Sequence, residues 1–427
     1  MITESVEDRS ARGLAAAVSR LITAGDLPSG ARLPTVRVVA RELGVSPTTV
    51  SEAWQSLLRA GAIQTRGRSG TFVAALDRPR LRYTQLGGPA LDRDLSSGVP
   101  DHDLLPDLTD ALKRVGDGRL TSSYLDEPVL PELASVLRER WPYRPASLTV
   151  VDGALDALDR IIGAVVRFGD RVVVENPTFP PLLDLLDAAG ATVVPLSPAA
   201  LEADPVAVFL QPRAHNPTGA SMSADDVAAL AARLPADVLV VEDDHAGDIA
   251  TAPPVSVGTH LPDRTVHIAG FSKSHGPDLR LAAVGGPARL IDAVAARRLL
   301  GPGWSSRLLQ AVLLDLLTSD LARAQVASAR AEYARRRTGL LAALDRRGAE
   351  ATADDGINLW LTVHDQQQAL VTLAAHGISV APGAPFLVTP PATDHVRVTV
   401  GLVADGFDEL ATILASAAQR SDNRRLQ

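Results

Sequence analysis

Residues 265–280 read TVHIAGFSKSHGPDLR, a largely apolar β-prone run that closes on Phe271-Ser272 with a lysine directly behind it. Four similar runs precede it: VVVEN at 172–176, ATVVPL at 191–196, AVFLQP at 207–212 and DVLVVEDD at 237–244. Runs this apolar suit strands covered on both faces. Helical periodicities lie between several of them, and that alternation predicts an α/β domain with a largely parallel sheet from about residue 96. Such sheets bind ligands beyond the carboxyl ends of their strands. This chain places Glu175, Asn176, Gln211, Asp243 and Lys273 there.

Lys273 is the sharpest single signal. The chain holds two lysines, Lys113 and Lys273, against forty arginines, so its surface cations are written as arginine. A lysine kept just after a buried strand points to amine chemistry that a guanidinium cannot perform, such as imine formation. A stray surface lysine is the plainer explanation, and it suits Lys113 better. The neighbours of Lys273 read as a cofactor pocket. Ser272 and Arg280 flank it as phosphate ligands would. Gly153 and Ala154, in VVDGALDAL, open a helix whose bare N–H groups can cradle a phosphate. Phe179, in NPTFP, can stack on a flat ring. Asn216, in HNPTG, and Asp243, in VEDDH, can bond a ring hydroxyl and a ring nitrogen. A carboxylate at that nitrogen maintains the electron sink of pyridoxal phosphate. Arg397, in HVRVTVG, can clamp a carboxylate.

The N-terminal part reads differently. A helical stripe over 8–24 carries Leu14, Val18, Leu21 and Ile22, and a second helix over 35–43 stops at Gly44. Ser46 caps a third helix with Pro47 at its first position, where a missing N–H costs nothing. Val50, Trp54, Leu57 and Leu58 should face inward, leaving Thr48, Thr49 and Ser51 near the exposed N-terminal end that a recognition helix presents to the major groove. Two short β-prone runs then flank Arg66-Gly67-Arg68-Ser69-Gly70, a hairpin tip with two guanidiniums that can reach phosphates or a minor groove. Residues 1–76 hold nine arginines and six carboxylates, +3, which leaves −11 for the rest of a chain of net charge −8. A small basic module on an acidic body fits a DNA-binding head. Residues 77–95 mix Pro, Gly and charge without periodicity and read as a linker.

The stretch LPSGARLPTVRVVARELGVSPTTVSEAWQSLLRAGAIQTRGRSGTFVA, residues 27–74, resembles the GntR-type winged helix-turn-helix nearly end to end. The resemblance implies DNA contacts from Arg37, Thr48, Thr49, Arg66, Arg68 and Gly70. It departs at Pro47, where an arginine or asparagine is common. From about Ser96 onward the set around Lys273 resembles the fold-type I aminotransferases. A GntR head on such a body is the architecture of the MocR subfamily. The implied fold is a winged helix-turn-helix plus a pyridoxal-phosphate-dependent transferase-like domain of fold type I, with a C-terminal α+β small subdomain. The implied body binds pyridoxal phosphate through Lys273. It forms a head-to-tail homodimer in which Tyr124, in SSYLDEP, reaches the partner's cofactor phosphate. Three positions depart from that family. Asp152, a good helix N-cap, stands where a hydroxyl residue usually precedes the phosphate-cradling glycine, and its charge repels a phosphate. Gly270 replaces a residue whose hydroxyl helps hold the phosphate. His245 replaces a tyrosine near the ring hydroxyl.

The chain has 427 residues, no cysteine and nine scattered histidines, which argues against disulfides, thiolate-ligated metals and a metal site. No run is apolar for long enough to span a bilayer, and MITESVEDRS is not a signal peptide, so a cytoplasmic location is expected. Three functions stay open. One is a regulator of a double-stranded DNA operator whose body senses pyridoxal phosphate or a small amino or aldehyde effector. Another is an aminotransferase with an accessory head. The third is a cofactor-free scaffold that dimerises the heads.

Overall fold

The computed structural model describes residues 2–6, 8–28, 30–59, 62–65, 70–74, 81–87, 91–116 and 126–419. The head consists of α1 (Ala11–Ala24), α2 (Val36–Leu43) and α3 (Pro47–Arg59), followed by the strands β1 (Ile63–Thr65) and β2 (Thr71–Val73). Both of the first two helices end on a left-handed glycine, Gly25 and Gly44, as a helix stop requires. Ser46 accepts from the Thr49 N–H at 3.1 Å, so α3 is capped as its sequence predicts. Val50, Trp54 and Leu57 are buried with Leu14, Val18, Val39 and Leu43, while Leu58 is only partly covered. The chain before α2 adds an edge to the hairpin: Leu33 donates to the Thr71 carbonyl and Val73 to the Ala31 carbonyl, both at 2.8 Å.

The body is built on two sheets. The larger uses β4 (Ser147–Val151), β5 (Arg171–Val174), β6 (Thr192–Pro195), β7 (Ala207–Leu210), β8 (Leu239–Asp244), β9 (Thr265–Gly270) and β10 (Ala282–Gly286), in the order β4-β10-β9-β8-β7-β5-β6. Its ladder is parallel except at β10, which runs antiparallel to both neighbours. Both faces are covered, which is why these runs are apolar throughout. Val172, Val174, Ala207 and Phe209 pack under the helices Ala154–Val165 and Pro180–Ala188. Val173, Val208, Leu210 and Val240 face the opposite way, against the helix Ala224–Arg233.

The smaller sheet joins β3 (Arg93–Leu95), β11 (Ala351–Thr352), β12 (Leu359–Val363), β13 (Ile378–Pro382) and β14 (Asp394–Val398), in the order β11-β12-β14-β13-β3. The 26-residue helix Asp320–Asp345 contributes Leu340, Ala343 and Leu344 to its core. The small subdomain is therefore not purely C-terminal. β3, from the stretch that reads as linker, pairs in parallel with β13. A second piece of that stretch, Arg82–Gln85, forms a 3-10 turn. No helix among the described residues is long and apolar enough to cross a membrane.

Tyr143 ties together the strand pair that delivers Lys273. Its hydroxyl donates to the carbonyls of Thr265 at 2.7 Å and Gly285 at 3.1 Å, bridging β9 and β10. A Cβ on Gly258 would lie 2.3 Å from its ring. Pinned at its hydroxyl, that ring cannot retreat. Gly258→Ala should therefore cost about 1–3 kcal/mol through overpacking, read as a lower midpoint in chemical denaturation.

Candidate functional site

A cavity of about 240 Å³ opens at the carboxyl ends of β7, β8 and β9. Ala154, Phe179, Asn216, Asp243, His245, Ser272, Lys273, Arg280 and Arg397 all line it, so side chains up to 243 residues apart in sequence meet in one place. Gly153 stands at its rim with φ +97°, and a Cβ there would lie 3.1 Å from the Arg280 guanidinium. It is the N-cap of the helix Ala154–Val165, with no side-chain cap bond. Tyr124 lies outside the described residues.

Asp243 comes from the last turn of pleat in β8. One of its oxygens accepts from Gln211 Nε2 at 2.9 Å, while Oδ1 is buried without a hydrogen-bond partner among the described residues. Burial raises this carboxyl to about 6, with Gln211 opposing and Asp244 reinforcing the rise. Gln211 is itself fixed on both sides. Its N–H donates to Glu175 at 2.7 Å, and its side-chain carbonyl accepts from the Asn216 N–H at 2.9 Å. Burial also raises Glu175, to about 8.

Lys273 projects from the turn after β9, and its Nζ donates to the Gly98 carbonyl at 2.5 Å. Desolvation lowers the amine to about 8; Arg397 adds to the drop and Asp243 opposes it. Desolvation and the nearby Lys273 likewise lower His245 to about 4, which leaves a neutral imidazole whose Nδ1 has no partner among the described residues. Arg397 is buried over the Phe386 ring, 5.3 Å from its centroid, and donates to the Ser96 carbonyl and to Asn216 Oδ1. Gly98, at φ +62°, lets the backbone pass the guanidinium, because a Cβ would stand 3.0 Å from it.

Two departures acquire physical reasons. Asp152 is not the helix cap; Gly153 is. The Asp152 carboxylate pairs instead with the buried Arg298 at 3.0 Å, which also bonds Asp156 and Ser305. Its charge is therefore compensated, and only its backbone carbonyl meets Arg280, at 3.3 Å. At Gly270 a Cβ would come within 3.3 Å of the His245 backbone, so a hydroxyl side chain there would require that strand end to give by a few tenths of an ångström.

Residues 93–414 match the model for aminotransferase class I and II, and residues 10–73 match that for bacterial regulatory proteins of the gntR family. The vitamin B6 salvage pathway transcriptional repressor PtsJ of Salmonella typhimurium is 34% identical, over 97% of this chain and 99% of its own length. The chain belongs to the MocR-type regulators of the gntR family. The probable rhizopine catabolism regulatory protein MocR of Rhizobium meliloti is 27% identical, over 83% of this chain and 79% of its own. Among solved structures, aspartate aminotransferase from Thermus thermophilus superposes with a TM-score of 0.68 over 81% of this chain and all of its own, at 24% identity.

That family and fold imply pyridoxal phosphate, and the pocket of this MocR-type chain has groups that fit it. The orphaned Asp243 Oδ1 offers a buried acceptor for a protonated ring nitrogen. The uncapped helix start at Gly153, beside Arg280, offers donors for a phosphate. Gln211, expected at a strand end but given no role there, and the Ser96–Gly98 backbone, not expected in the site, complete it. Gln211 was visible as a polar residue at a strand end, whereas the Gly98 carbonyl leaves no mark in the sequence. In the head, Thr48 and Arg37 are exposed, while Thr49 and Ser51 are half-covered at the start of α3. The Thr49 hydroxyl lies 2.9 Å from that of Ser46. Gly70 has φ +110°, and its missing Cβ would stand 3.1 Å from the guanidinium of Arg32, a cation not singled out from sequence. Arg66 and Arg68 lie outside the described residues.

An amine attacks only when neutral. Acylation of Lys273 should therefore rise with pH and level off above about 8, rather than near the ~10.4 of an ordinary lysine. Mass spectrometry of the Lys273 peptide after brief treatment with an amine-directed reagent reads this directly. A plateau at the ordinary value would contradict the desolvated environment.

Proposed function

We propose that this protein is a transcription regulator of double-stranded DNA whose body takes up pyridoxal phosphate through Lys273 and reports its occupancy to the DNA-binding head. What carries the reading is the convergence on one cavity of an amine, an orphaned carboxylate, a ring-stacking phenylalanine and a phosphate-type rim, in a chain that also bears a gntR head. The similar protein named for repression of vitamin B6 salvage supports a B6 compound as the effector. A regulator acting on DNA in this way would work in the cytoplasm.

Lys273 would hold the cofactor's aldehyde carbon, and Asp243 its ring nitrogen. Phe179 would lie against the ring, and Asn216 and His245 would stand near its hydroxyl. Gly153, Ala154, Ser272 and Arg280 would hold its phosphate. When bound, pyridoxal phosphate supplies an electron sink. Lys273 at about 8 is partly neutral at physiological pH and so able to accept it. A neutral His245 donates one hydrogen bond without adding a cation beside the amine. Arg397 would clamp the carboxylate of an amino effector. The head would read DNA through Thr48, Thr49 and Ser51, with Arg37, Arg66, Arg68 and Gly70 at the backbone and the wing. A head-to-tail homodimer, with the partner's Tyr124 at the phosphate, would present two heads to two half-sites.

A second reading, transamination, is favoured by Lys273 and Arg397 sharing one cavity. Steady turnover of an amino donor with an α-keto acid distinguishes it.

Titration with pyridoxal phosphate should produce the visible absorption band of its covalent attachment to lysine, and Lys273→Ala should abolish that band while remaining folded. A wild-type protein that gains no band sinks the reading. Arg280→Ala should raise the half-saturating concentration about 10- to 100-fold, the worth of a charge-assisted phosphate contact. Arg37→Ala should weaken DNA binding in a mobility-shift assay and leave the band untouched.

A further inference from the structure

The segment that joins head to body is also a wall of the pocket. Arg82–Gln85 form the 3-10 turn, and the successive amides of Arg82 and Tyr83 donate to the two oxygens of Asp184, each at 3.0 Å. The Arg82 guanidinium bonds Asp187, one turn further along the same helix. Leu86 is buried with Trp360, Ala381 and Phe386, and that Phe386 ring underlies Arg397. Between these two anchors Tyr83 is 57% exposed, yet it lines the cavity that holds Lys273 and Arg397. On its other side Arg82 borders a separate cavity together with Ser56 of α3.

An aromatic ring left this exposed adds little to the core. Its place at the pocket mouth makes it a contact for whatever fills the pocket. The backbone immediately before it is held by a single carboxylate. That carboxylate stands on the helix Pro180–Ala188, which begins directly after the cofactor-facing Phe179.

We propose that residues 81–87 form a ligand-gated latch: a ligand in the Lys273 pocket contacts Tyr83, fixes the segment on Asp184, and so sets the position of the DNA-binding head. This rests on the reading of the pocket as a pyridoxal phosphate site. It adds a second requirement, that the linker itself touches the ligand. A regulator needs a group whose contacts differ between the filled and empty states, since equal interaction with both shifts nothing. Tyr83 is the described residue that belongs both to the linker turn and to the pocket lining.

The test uses the full chain with pyridoxal phosphate as the probe and follows both the absorption band and hydrogen–deuterium exchange of the 81–87 peptide. In the wild type, exchange should slow on the order of tenfold as the band forms, and in Lys273→Ala neither change should occur. Asp184→Ala should form the band normally but show no slowing. Its affinity for a duplex spanning the DNA upstream of its own coding sequence should no longer respond to pyridoxal phosphate. Should Asp184→Ala fold poorly, Tyr83→Ala at saturating pyridoxal phosphate supplies the same comparison, and Tyr83→Phe should restore the slowing. A wild-type band with unchanged exchange at 81–87 overturns the latch alone. Wild-type slowing retained in both Asp184→Ala and Tyr83→Ala also overturns it. A wild type that forms no band overturns both the latch and the pocket reading.

Discussion

Parallel pairing of β7, β8 and β9 is the constraint on which the site depends. Their registers align Leu210 with Glu242 and Asp243 with Ile268, so the three strands end at nearly one level. Whatever follows each strand then faces the same cavity. Gln211, Asp243 and the turn bearing Lys273 owe their proximity to this alignment, not to their spacing in sequence. The antiparallel β10 returns the chain along β9, and the Tyr143 hydroxyl bridges the two strands.

The alignment also sets the electrostatics. A sheet covered on both faces leaves no water beneath its ends, so the groups there are desolvated. Asp243 is pushed up and Lys273 and His245 are pushed down. The three shifts act together. A carboxyl near 6 and an amine near 8 straddle neutral pH, so both can exchange protons there while they remain an opposite-charge pair, and the imidazole near 4 stays neutral between them. The rim follows a different rule. Asp152, Asp156, Arg160 and Arg298 form a compensated cluster that leaves Arg280 as the cation beside Gly153.

Much of this was legible in the residues themselves. The apolar runs announced the strands but overshot them: Glu175, Asn176 and Gln211 lie just past the last paired residues, because a strand stops where its side chains must meet solvent or ligand. Ala154, Phe179, Asn216, Asp243, His245, Ser272, Lys273, Arg280 and Arg397 were legible as lining because most of them carry their own chemistry, whereas Tyr83 and Leu86 were not. Three other things were not legible. β3 is three residues long, too short for any periodicity to register. The partner of Asp152 lies 146 residues away, and nothing near Asp152 hints at Arg298. The Gly98 carbonyl that holds Lys273 is a backbone atom, so only the fold could reveal it.

The path of the chain from head to body has a mechanical consequence. It is fastened to the helix side of the large sheet at Arg82 and Tyr83, and to the small sheet at Leu86 and β3. The joint between the two sheets is thereby bridged by a tether of limited length, since an extended chain spans at most ~3.5 Å per residue. A rotation of one sheet against the other must either slacken that tether or pull on it. The head precedes that tether in sequence and also meets the body directly, Arg12 pairing with Asp170 at 2.9 Å, so a change in the angle of the joint would reach its base by two routes.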